Sequence, residues 1–502
     1  TVIMNELANY CDEGPGHVNA MALLKLQQIL MWTLLLEDPD SPPTKRRRHP
    51  AGLLAARIQA FIDEDWSVVQ AWVDKVGLPQ PIAPPQTAEE YATNAARRGR
   101  ALLGMGEVSK GYRATTSLIE VVKMTAPVKA RLFTKLATLA PPQWRDKDFS
   151  DATHANEAKK FQRVTLEKKV VRKIFQQMSV STAPGVDGLG KARLAFFFDK
   201  SNLWSLCNML ANGLLPAAYN EYLSGGALTM LSKETIAERL AKLDPTDPDI
   251  RPIVPPSALA RLTGATMMAQ KHGDVKKACG IWQLAVCQSS GCDTARFMGQ
   301  AFMEQHRHGV LLLTDATNGY GNTDRALLGG LIEKKVPEFS RFYNAMYGTR
   351  GNNVQYFDEN GVLNWTLVKN GLLQGDPLAP FFYTLLGADH RELVRECLPG
   401  PDDWQFAYID DTVTAADTPD HLQAGGLDLT RQHPAVTATL RQWDSDLAMG
   451  ILPSPKKCKL LVNSKETLTF VDLSPLIEWV RARQIPGYEE WAGPTVHVIA
   501  EG

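Results

Sequence analysis

The feature that most constrains this chain is a pair of adjacent aspartates, Asp410 and Asp411, set between two short apolar runs. Residues 405–408 and 412–415 have the length and composition of strands, so the pattern predicts a β-hairpin with both carboxylates at its tip. Adjacent like charges at a tight turn repel one another unless a cation neutralises them, and the pair therefore indicates a divalent ion. The alternative is a solvated aspartate-rich turn.

A third aspartate, Asp315, follows the apolar run 309–314, which is predicted to be a buried strand. An acid at the end of a strand is well placed to bind a metal ion.

A glycine turn at residues 370–377 precedes a predicted helix. Gly375 permits close approach of a ligand to the backbone, and Asp376-Pro377 has the form of a helix N-cap followed by a first-turn proline. The alternative is a plain helix start without a functional role. The helix is expected to direct four apolar side chains into a core, namely Leu378, Phe381, Phe382 and Leu385.

Composition sets the limits of the fold. The 502 residues suggest about three domains, and 44% hydrophobic with 22% charged residues is typical of a folded globular chain. The net charge of −1 excludes a polybasic protein, so any nucleic-acid partner must be bound by a local patch. The basic runs 45–48 and 97–100 are candidates for template binding, for a nuclear import signal or for solvated loops.

Seven scattered cysteines without a CxxC pair argue against a disulfide framework and a zinc knuckle, and they favour structural thiols in a reducing compartment. Met21–Leu36 is too short and too polar to span a bilayer, so we expect an amphipathic helix and no membrane partner. Helical periodicity dominates up to about residue 139, and beyond Pro141 helices mix with strand-like runs, which predicts an α+β fold.

Taken together, these segments resemble the reverse-transcriptase family. Six segments carry the resemblance in the order in which the family has them: fingers elements at 183–188 and 251–253, motif A at 315–322, motif B at 374–380, motif C at 408–411 and motif D at 450–458. The form of motif A is most similar to that of non-LTR retrotransposons, in particular the site-specific elements of trypanosomatids. The resemblance extends from about Gly104 to Leu461.

The resemblance implies a right-hand polymerase of the α+β class. Its parts would be a helical N-terminal extension at 1–141, fingers at 142–308, a palm at 309–472 and a short or truncated thumb or C-terminal segment at 473–502. The implied function is template-directed DNA synthesis on RNA, encoded by a retroelement. The implied partners are an RNA template, a DNA primer and deoxynucleoside triphosphates, and the implied location is the nucleus, or otherwise the cytoplasm.

The resemblance also assigns the metal site. Two Mg²⁺ ions, with Mn²⁺ as a substitute, would be held by the carboxylates of Asp315, Asp410 and Asp411 and by the backbone carbonyl of Ala316. Tyr320 stands where the family places a ring beneath the sugar, which would exclude a 2′-hydroxyl; the alternative is a core aromatic.

Further residues would bind the nucleotide. Arg251 suits contact with the triphosphate, and Lys233 is a helper or else belongs to a solvated helix face. Lys457 would give a proton to the departing pyrophosphate, or is a surface lysine. Gln374 and Gly375 would shape the pocket against the incoming base and the template.

Departures from the family pattern leave other functions open. Gly319 and Gly321 in motif A are expected to loosen local packing, and Pro453-Ser454 replaces the usual pair in motif D. One alternative is a catalytically weak or inactive palm used as a nucleic-acid-binding scaffold. The other is an RNA-dependent RNA polymerase, which would be expected to carry an acid near position 320 and Gly-Asp-Asp at the hairpin.

Overall fold

The computed structural model describes the main stretches of the chain from residue 122 onward. These stretches are 122, 124–135, 160–179, 202–215, 223–234, 249–348, 351–360, 362–388, 390–425, 432–485 and 487–499, with isolated positions elsewhere. Met21–Leu36, the basic run 45–48 and the predicted linker at 78–86 lie outside the described residues, as does the fingers element 183–188 apart from Gly185. Arg97 and Arg100 are described as exposed helical positions.

Contacts divide the described residues into two compact units. The first contains the described residues up to Thr266 together with Arg341–Lys369, and the second contains Met267–Ser340 and the described residues from Asn370 onward.

Helices make up most of the regular structure. In chain order they are α1 (Ala126–Lys135), α2 (Lys168–Gln177), α3 (Asn202–Ala211), α4 (Ala258–Gln270), α5 (His272–Cys279), α6 (Gly291–Gln305), α7 (Gly319–Asn322), α8 (Arg325–Lys335), α9 (Ser340–Tyr347), α10 (Ala379–Ala388), α11 (His390–Arg395), α12 (Asp420–Gly425), α13 (Pro434–Ala448), α14 (Lys465–Leu468) and α15 (Ser474–Ala482). Single 3₁₀ turns occur at Pro337–Phe339 and Pro455–Lys457.

The strands are short and form small sheets. In chain order they are β1 (Gly226–Ala227), β2 (Thr229–Ser232), β3 (Ile250–Ile253), β4 (Gly309–Thr314), β5 (Ala316–Thr317), β6 (Asn352–Phe357), β7 (Leu363–Val368), β8 (Trp404–Tyr408), β9 (Asp411–Asp417), β10 (Leu452–Pro453), β11 (Lys459–Val462) and β12 (Thr495–Val498). This mixture of helices and sheets agrees with the predicted α+β class.

The second unit is built on a five-stranded sheet in the order β12-β11-β4-β9-β8. The central strand β4 is the predicted apolar run 309–314, and it is buried on both faces. Val310 and Leu312 pack in one core with residues of α13 and α15, and Leu311 packs on the other face with Phe302 of α6. Burial on both faces explains why this strand reads as a continuous apolar run rather than an alternating one.

The C-terminal segment belongs to this same sheet. Strand β12 pairs in parallel with β11, and Leu476 and Val480 of α15 are buried in the core beneath it. The sequence predicts a separate C-terminal segment at 473–502. Its described helix α15 and strand β12 instead pack with the sheet of the predicted palm, and β12 gains hydrogen bonds by pairing with the edge strand β11.

The first unit contains two smaller sheets, β1-β6-β7 and β2-β3. Asp249, just before β3, forms ion pairs with Lys135 and with Lys233, the latter at 3.2 Å. In this unit Arg341 donates hydrogen bonds to the carbonyl of Phe161.

Helix α10 in the second unit confirms the predicted core helix after motif B. Leu378, Phe381, Phe382 and Leu385 are fully buried. Asp376 accepts a hydrogen bond from the Leu378 amide at 2.9 Å, but the helix begins at Ala379, so Asp376 and Pro377 form a turn before the helix rather than its N-cap and first turn. None of the helices that the structure describes has the length and apolar character needed to cross a bilayer.

Candidate active site

Strand register brings two of the three predicted metal-binding aspartates, Asp315 and Asp411, to the same end of the sheet. Strand β4 lies between β9 and β11, and its last paired residue, Thr314, faces Thr412 of β9. One residue further along, the same antiparallel register places Asp315 opposite Asp411. On the other side, Lys457 lies in the 3₁₀ turn Pro455–Lys457 just before β11, and its ammonium forms an ion pair with the Asp315 carboxylate. Asp315 therefore stands between Asp411 and Lys457 at one end of the sheet.

The hairpin that carries the aspartate pair has a strained turn. Tyr408 pairs with Asp411, so the loop consists of only Ile409 and Asp410. Ile409 has a φ of 62°, a region that two-residue hairpin turns require but that a β-branched residue rarely adopts. Such strain costs about 1–3 kcal/mol and is found most often at functional sites.

A buried glutamine holds this turn. Gln283 is 1% exposed, and its Oε1 accepts hydrogen bonds from the amides of Ile409 at 3.1 Å and Ala285 at 3.0 Å. The backbone on either side of Gln283 pairs with Ala407 of β8. The Nε2 of Gln283 has no hydrogen-bond partner among the described residues. The Gln283 side chain therefore holds the strained turn in place through its hydrogen bond to the Ile409 amide.

The three carboxylates interact electrostatically. Burial, together with the negative charges of Asp410 and Asp315, raises the pKa of Asp411 to about 6, and Lys457 opposes that rise. The Lys457 ammonium forms an ion pair with Asp315, whose side chain is 13% exposed. Burial lowers the pKa of Lys457, but the hydrogen bond and charge of Asp315 and the charges of Asp410 and Asp411 outweigh it and raise that pKa.

Asp315 and Asp410 also line a small cavity of about 30 Å³. A further carboxylate, Asp446 of α13, lines the same cavity and accepts a hydrogen bond from Gln442 at 3.2 Å. The sequence analysis missed Asp446, because an aspartate near the end of an amphipathic helix looks like a solvated surface residue.

The donor atoms at this end of the sheet have the chemistry that Mg²⁺ requires. The backbone amide of Ser454 donates a hydrogen bond to the carbonyl of Asp315 at 2.8 Å. In an antiparallel ladder this bond identifies the neighbouring pair, Ala316 and Pro453, as one whose two residues do not hydrogen-bond to each other. The carbonyl of Ala316 therefore points away from β10. Together with the carboxylates it provides hard oxygen donors. As the described side chains are arranged, no three His, Cys, Asp or Glu groups lie close enough to hold one metal ion.

Tyr320, in the short helix α7, packs against a second tyrosine. Its ring centroid lies 5.3 Å from that of Tyr383 in α10. Burial and the charges of Asp410 and Asp376 raise the pKa of Tyr320, so its hydroxyl stays protonated. The ring is half-buried rather than part of a closed core.

At Gly319, the position of Tyr383 corrects the expectation that a glycine loosens the packing of motif A. A Cβ added to Gly319 would lie 2.8 Å from the Tyr383 hydroxyl oxygen and 2.9 Å from the ring carbon that bears it. The tyrosine thus fills the space that a larger residue at position 319 would occupy, and the packing is tight. The sequence analysis missed Tyr383, whose hydroxyl stands beside that of Thr384 in an otherwise apolar helix and gives no signal of a functional contact.

The loop of motif B docks on α7 through the backbone. The amide of Leu372 donates to the carbonyl of Tyr320 at 2.7 Å, and that of Gly371 donates to Thr323 at 3.0 Å. Gly371 has a φ of 73°, and a Cβ there would collide with the backbone of α7. Gln374 is half-buried and Gly375 is exposed in this loop, outside the residues that line the small cavity.

The two predicted triphosphate ligands lie in the first unit, on the β2-β3 pair. Arg251 of β3 is exposed and faces Leu231 of β2. Lys233 follows β2 and is ion-paired with Asp249, which Lys135 also contacts. The other eight predicted site residues lie in the second unit, namely Asp315, Ala316, Tyr320, Gln374, Gly375, Asp410, Asp411 and Lys457.

No protein-family model and no curated protein matches this chain.

Proposed function

We propose that this protein is a metal-dependent nucleotidyltransferase that synthesises DNA on an RNA template. The observation that carries the proposal is the position of Asp315, which interacts with the charge of Asp411, forms an ion pair with Lys457 and lies next to a hairpin turn that presents Asp410. These residues come from three distant parts of the chain. A structural role does not account for three mutually repelling carboxylates at one sheet end, because their repulsion destabilises the fold.

Each residue has a role in the proposed reaction. Asp315, Asp410, Asp411 and the Ala316 carbonyl would hold two divalent ions, which supply activation of the primer hydroxyl and charge stabilisation when bound. Lys457 keeps a proton at Nζ beside these carboxylates, because its pKa is raised, and it can meet negative charge that develops on pyrophosphate. Gln283 and the pairing of β8 with β9 hold the hairpin in position.

Choice of a deoxynucleotide rests on Tyr320. Tyr320 is five positions after Asp315, and its ring packs against that of Tyr383. Because this contact restricts its movement, the ring would sterically exclude a nucleotide with a 2′-hydroxyl. The templating role of RNA rests on the resemblance to reverse transcriptases.

Primer extension on poly(rA) annealed to oligo(dT), with Mg²⁺ or Mn²⁺, tests the proposal. The parent protein should incorporate deoxythymidine, and Asp410→Asn should abolish synthesis while the melting temperature stays the same or rises, since one repelling charge is removed. Asp358→Asn is the matched control. Asp358 also sits in a hairpin turn, between β6 and β7, but accepts amide hydrogen bonds there.

Extension by Asp410→Asn at the parent rate would overturn the proposed role of this site. Binding of primer-template without extension in either metal would assign the site to a nucleic-acid-binding scaffold instead.

A further inference from the structure

The hairpin of β6 and β7 in the first unit has an exposed apolar face. Phe357 pairs with Leu363, and Trp365 lies two positions further along β7, so the three side chains share one side of the hairpin. They are 43%, 45% and 48% exposed, in that order. On the other side of the hairpin, Tyr356 is buried and its ring packs edge-on against Phe133 of α1. Helix α1 thus covers one face of the hairpin, and the apolar face opposite is open.

Strand β7 is also the edge of its sheet. The strand order is β1-β6-β7, so among the described residues β7 pairs on one side only. The carbonyl of Gln355 in β6 accepts a hydrogen bond from the Leu228 amide, next to β1, and therefore faces away from β7. In an antiparallel pair, Trp365 opposite Gln355 must then face away from β6, and so must Leu363 and Leu367. The backbone groups of these three residues point outward from the sheet edge.

The sequence of β7 lacks the features that usually keep an edge strand from pairing. Natural edge strands are protected by lysine, by proline or by a bulge. Leu363–Val368 contains no charged residue and no proline, and its register with β6 is continuous over all 6 residues. This edge is therefore open to pairing with another strand.

We propose that β7 pairs with β7 of a second copy of this chain and so forms a twofold-symmetric dimer. The outward-facing residues fix the register, because such residues lie opposite one another in an antiparallel pair. Centred on the strand, this register places Trp365 opposite Trp365 of the second copy, and Leu363 opposite Leu367. Each facing pair exchanges two hydrogen bonds, about six in total. The two three-stranded sheets become one continuous sheet.

The side chains of β7 are complementary to themselves in this register. On the open face, Trp365 meets Trp365 and Leu363 meets Leu367, and cross-strand pairs of aromatic or aliphatic residues stabilise a sheet. On the other face, Asn364 lies opposite Thr366, so polar side chains meet polar ones. A strand that bound an unrelated partner would not need to match its own sequence. The match therefore identifies the occupant as a second copy.

The charges beside β7 match in the same way. The register continues with Val368 opposite Val362, which brings Lys369 beside the turn of the second copy that carries Glu359. Glu359 is exposed, and neither it nor Lys369 forms an ion pair among the described residues. Twofold symmetry makes this contact of opposite charges twice.

Sedimentation velocity of the full chain measures the dimer directly. One pair of short strands is a small interface, so the parent should pass from monomer to dimer between about 1 and 100 μM. Trp365→Lys places two ammonium groups opposite each other and removes the aromatic pair, so it should weaken dimerisation about tenfold or more. Leu327→Lys is the matched control, at a helical position that is 44% exposed, and should dimerise like the parent. A parent that stays monomeric, or a Trp365→Lys variant that dimerises like it, would overturn the proposal.

Disulfide trapping tests the register separately. Facing residues of a hydrogen-bonded pair have Cα atoms about 5.5 Å apart, a separation that a disulfide spans. Trp365→Cys should therefore form a covalent dimer under mild oxidation, above the background from the cysteines of the parent. Leu363→Cys is the control, since it faces position 367 and should crosslink only when mixed with Leu367→Cys. Equal crosslinking of Trp365→Cys and Leu363→Cys, each alone, would overturn the proposed pairing.

Charge reversal keeps the proposal testable if Trp365→Lys fails to fold. Glu359→Lys and Lys369→Glu should each weaken dimerisation about threefold, because like charges then face each other at two symmetric places. The double variant E359K/K369E restores opposite charges and should dimerise like the parent. Additive losses in the double variant would overturn the pairing. None of these measurements involves nucleic acid, so the inference stands or falls independently of the proposed activity.

Discussion

At the scale of single residues, charge determines how the candidate site behaves. Asp315 has the Asp411 carboxylate of β9 on one side and the Lys457 ammonium, from the 3₁₀ turn before β11, on the other, so it meets a negative charge on one side and a positive charge on the other. Lys457 therefore has two effects: its positive charge lowers the pKa of Asp411, and its own proton is available for transfer. The pH dependence of activity should therefore report the influence of Lys457 on the pKa of Asp411.

The acid limb of the pH–rate profile should lie near pH 6. In the metal-free site Asp411 has a raised pKa of about 6, so a proton competes with Mg²⁺ for this carboxylate as the pH falls through that value, and primer extension at limiting Mg²⁺ should fall with it. Lys457→Met removes the positive charge that opposes this rise in pKa, so the limb should move to higher pH. Primer-extension rates measured from pH 5 to 8 would check this, and an unmoved limb would show that Lys457 does not influence Asp411.

Sugar selection should depend on the Tyr320 ring. Tyr320→Ala removes the wall against a 2′-hydroxyl, so ribonucleotide incorporation should rise relative to deoxynucleotide incorporation, about tenfold for each 1.4 kcal/mol of relative barrier. Competing incorporation of labelled UTP and dTTP measures the ratio. Tyr408→Ala, at another partly exposed tyrosine of the same unit, serves as a comparison. A ratio that is the same in parent and Tyr320→Ala would make the ring a packing residue only.

At the scale of elements, the hairpin depends on a residue from a distant segment. Gln283→Ala should lower primer extension about tenfold or more, because the turn that holds Asp410 loses its brace, and should raise the Mg²⁺ concentration needed for half-maximal rate. Gln405→Ala is the control, since Gln405 is also a buried glutamine with two hydrogen bonds. Both variants should lose about 1–3 kcal/mol of stability. Only Gln283→Ala should change the Mg²⁺ concentration needed for half-maximal rate. An equal change in Gln283→Ala and Gln405→Ala would show that Gln283 contributes to stability alone.

Two glycines of the second unit, one in the contact between α7 and α10 and one in α8, should respond to alanine substitution with opposite sign. Gly319→Ala should destabilise the fold by about 1–3 kcal/mol, because its Cβ would overlap the Tyr383 hydroxyl and ring. Gly330→Ala in α8 should stabilise it by about 0.5–1 kcal/mol, since no atom lies within 4 Å of the added Cβ. Urea unfolding of both variants provides the comparison. A stabilising Gly319→Ala would contradict the tight packing described for Tyr383.

At the scale of the whole molecule, one buried histidine should set the acid stability. His433 is 1% exposed, accepts from the Ala435 amide at 3.2 Å and is bonded to Thr418 at 3.3 Å, and its burial lowers its pKa to about 4 from 6.5. Above pH 6.5 it is neutral in both states and contributes no pH dependence. Between pH 6.5 and 4 only the unfolded chain binds the proton, so stability should fall by about 3 kcal/mol.

His433→Asn should remove most of this pH dependence, because asparagine preserves the N-cap of α13 and does not titrate. His272→Asn, at an exposed position, should leave the dependence as in the parent. Urea unfolding at pH 7 and pH 4 measures both. A fall in stability for His433→Asn as large as that of the parent would locate the acid sensitivity elsewhere.

The sequence by itself determined the elements that depend on local pattern. The apolar run 309–314, the hairpin around Asp410 and Asp411 and the core face of α10 follow from periodicity and turn chemistry, which act over neighbouring residues. Tertiary structure alone decided which distant residues meet. The brace from Gln283, the filling of Gly319 by Tyr383 and the docking of β12 on β11 arise from register and packing between segments far apart in the chain. Such contacts leave no periodic signal, because each partner looks locally like an ordinary polar, aromatic or strand residue.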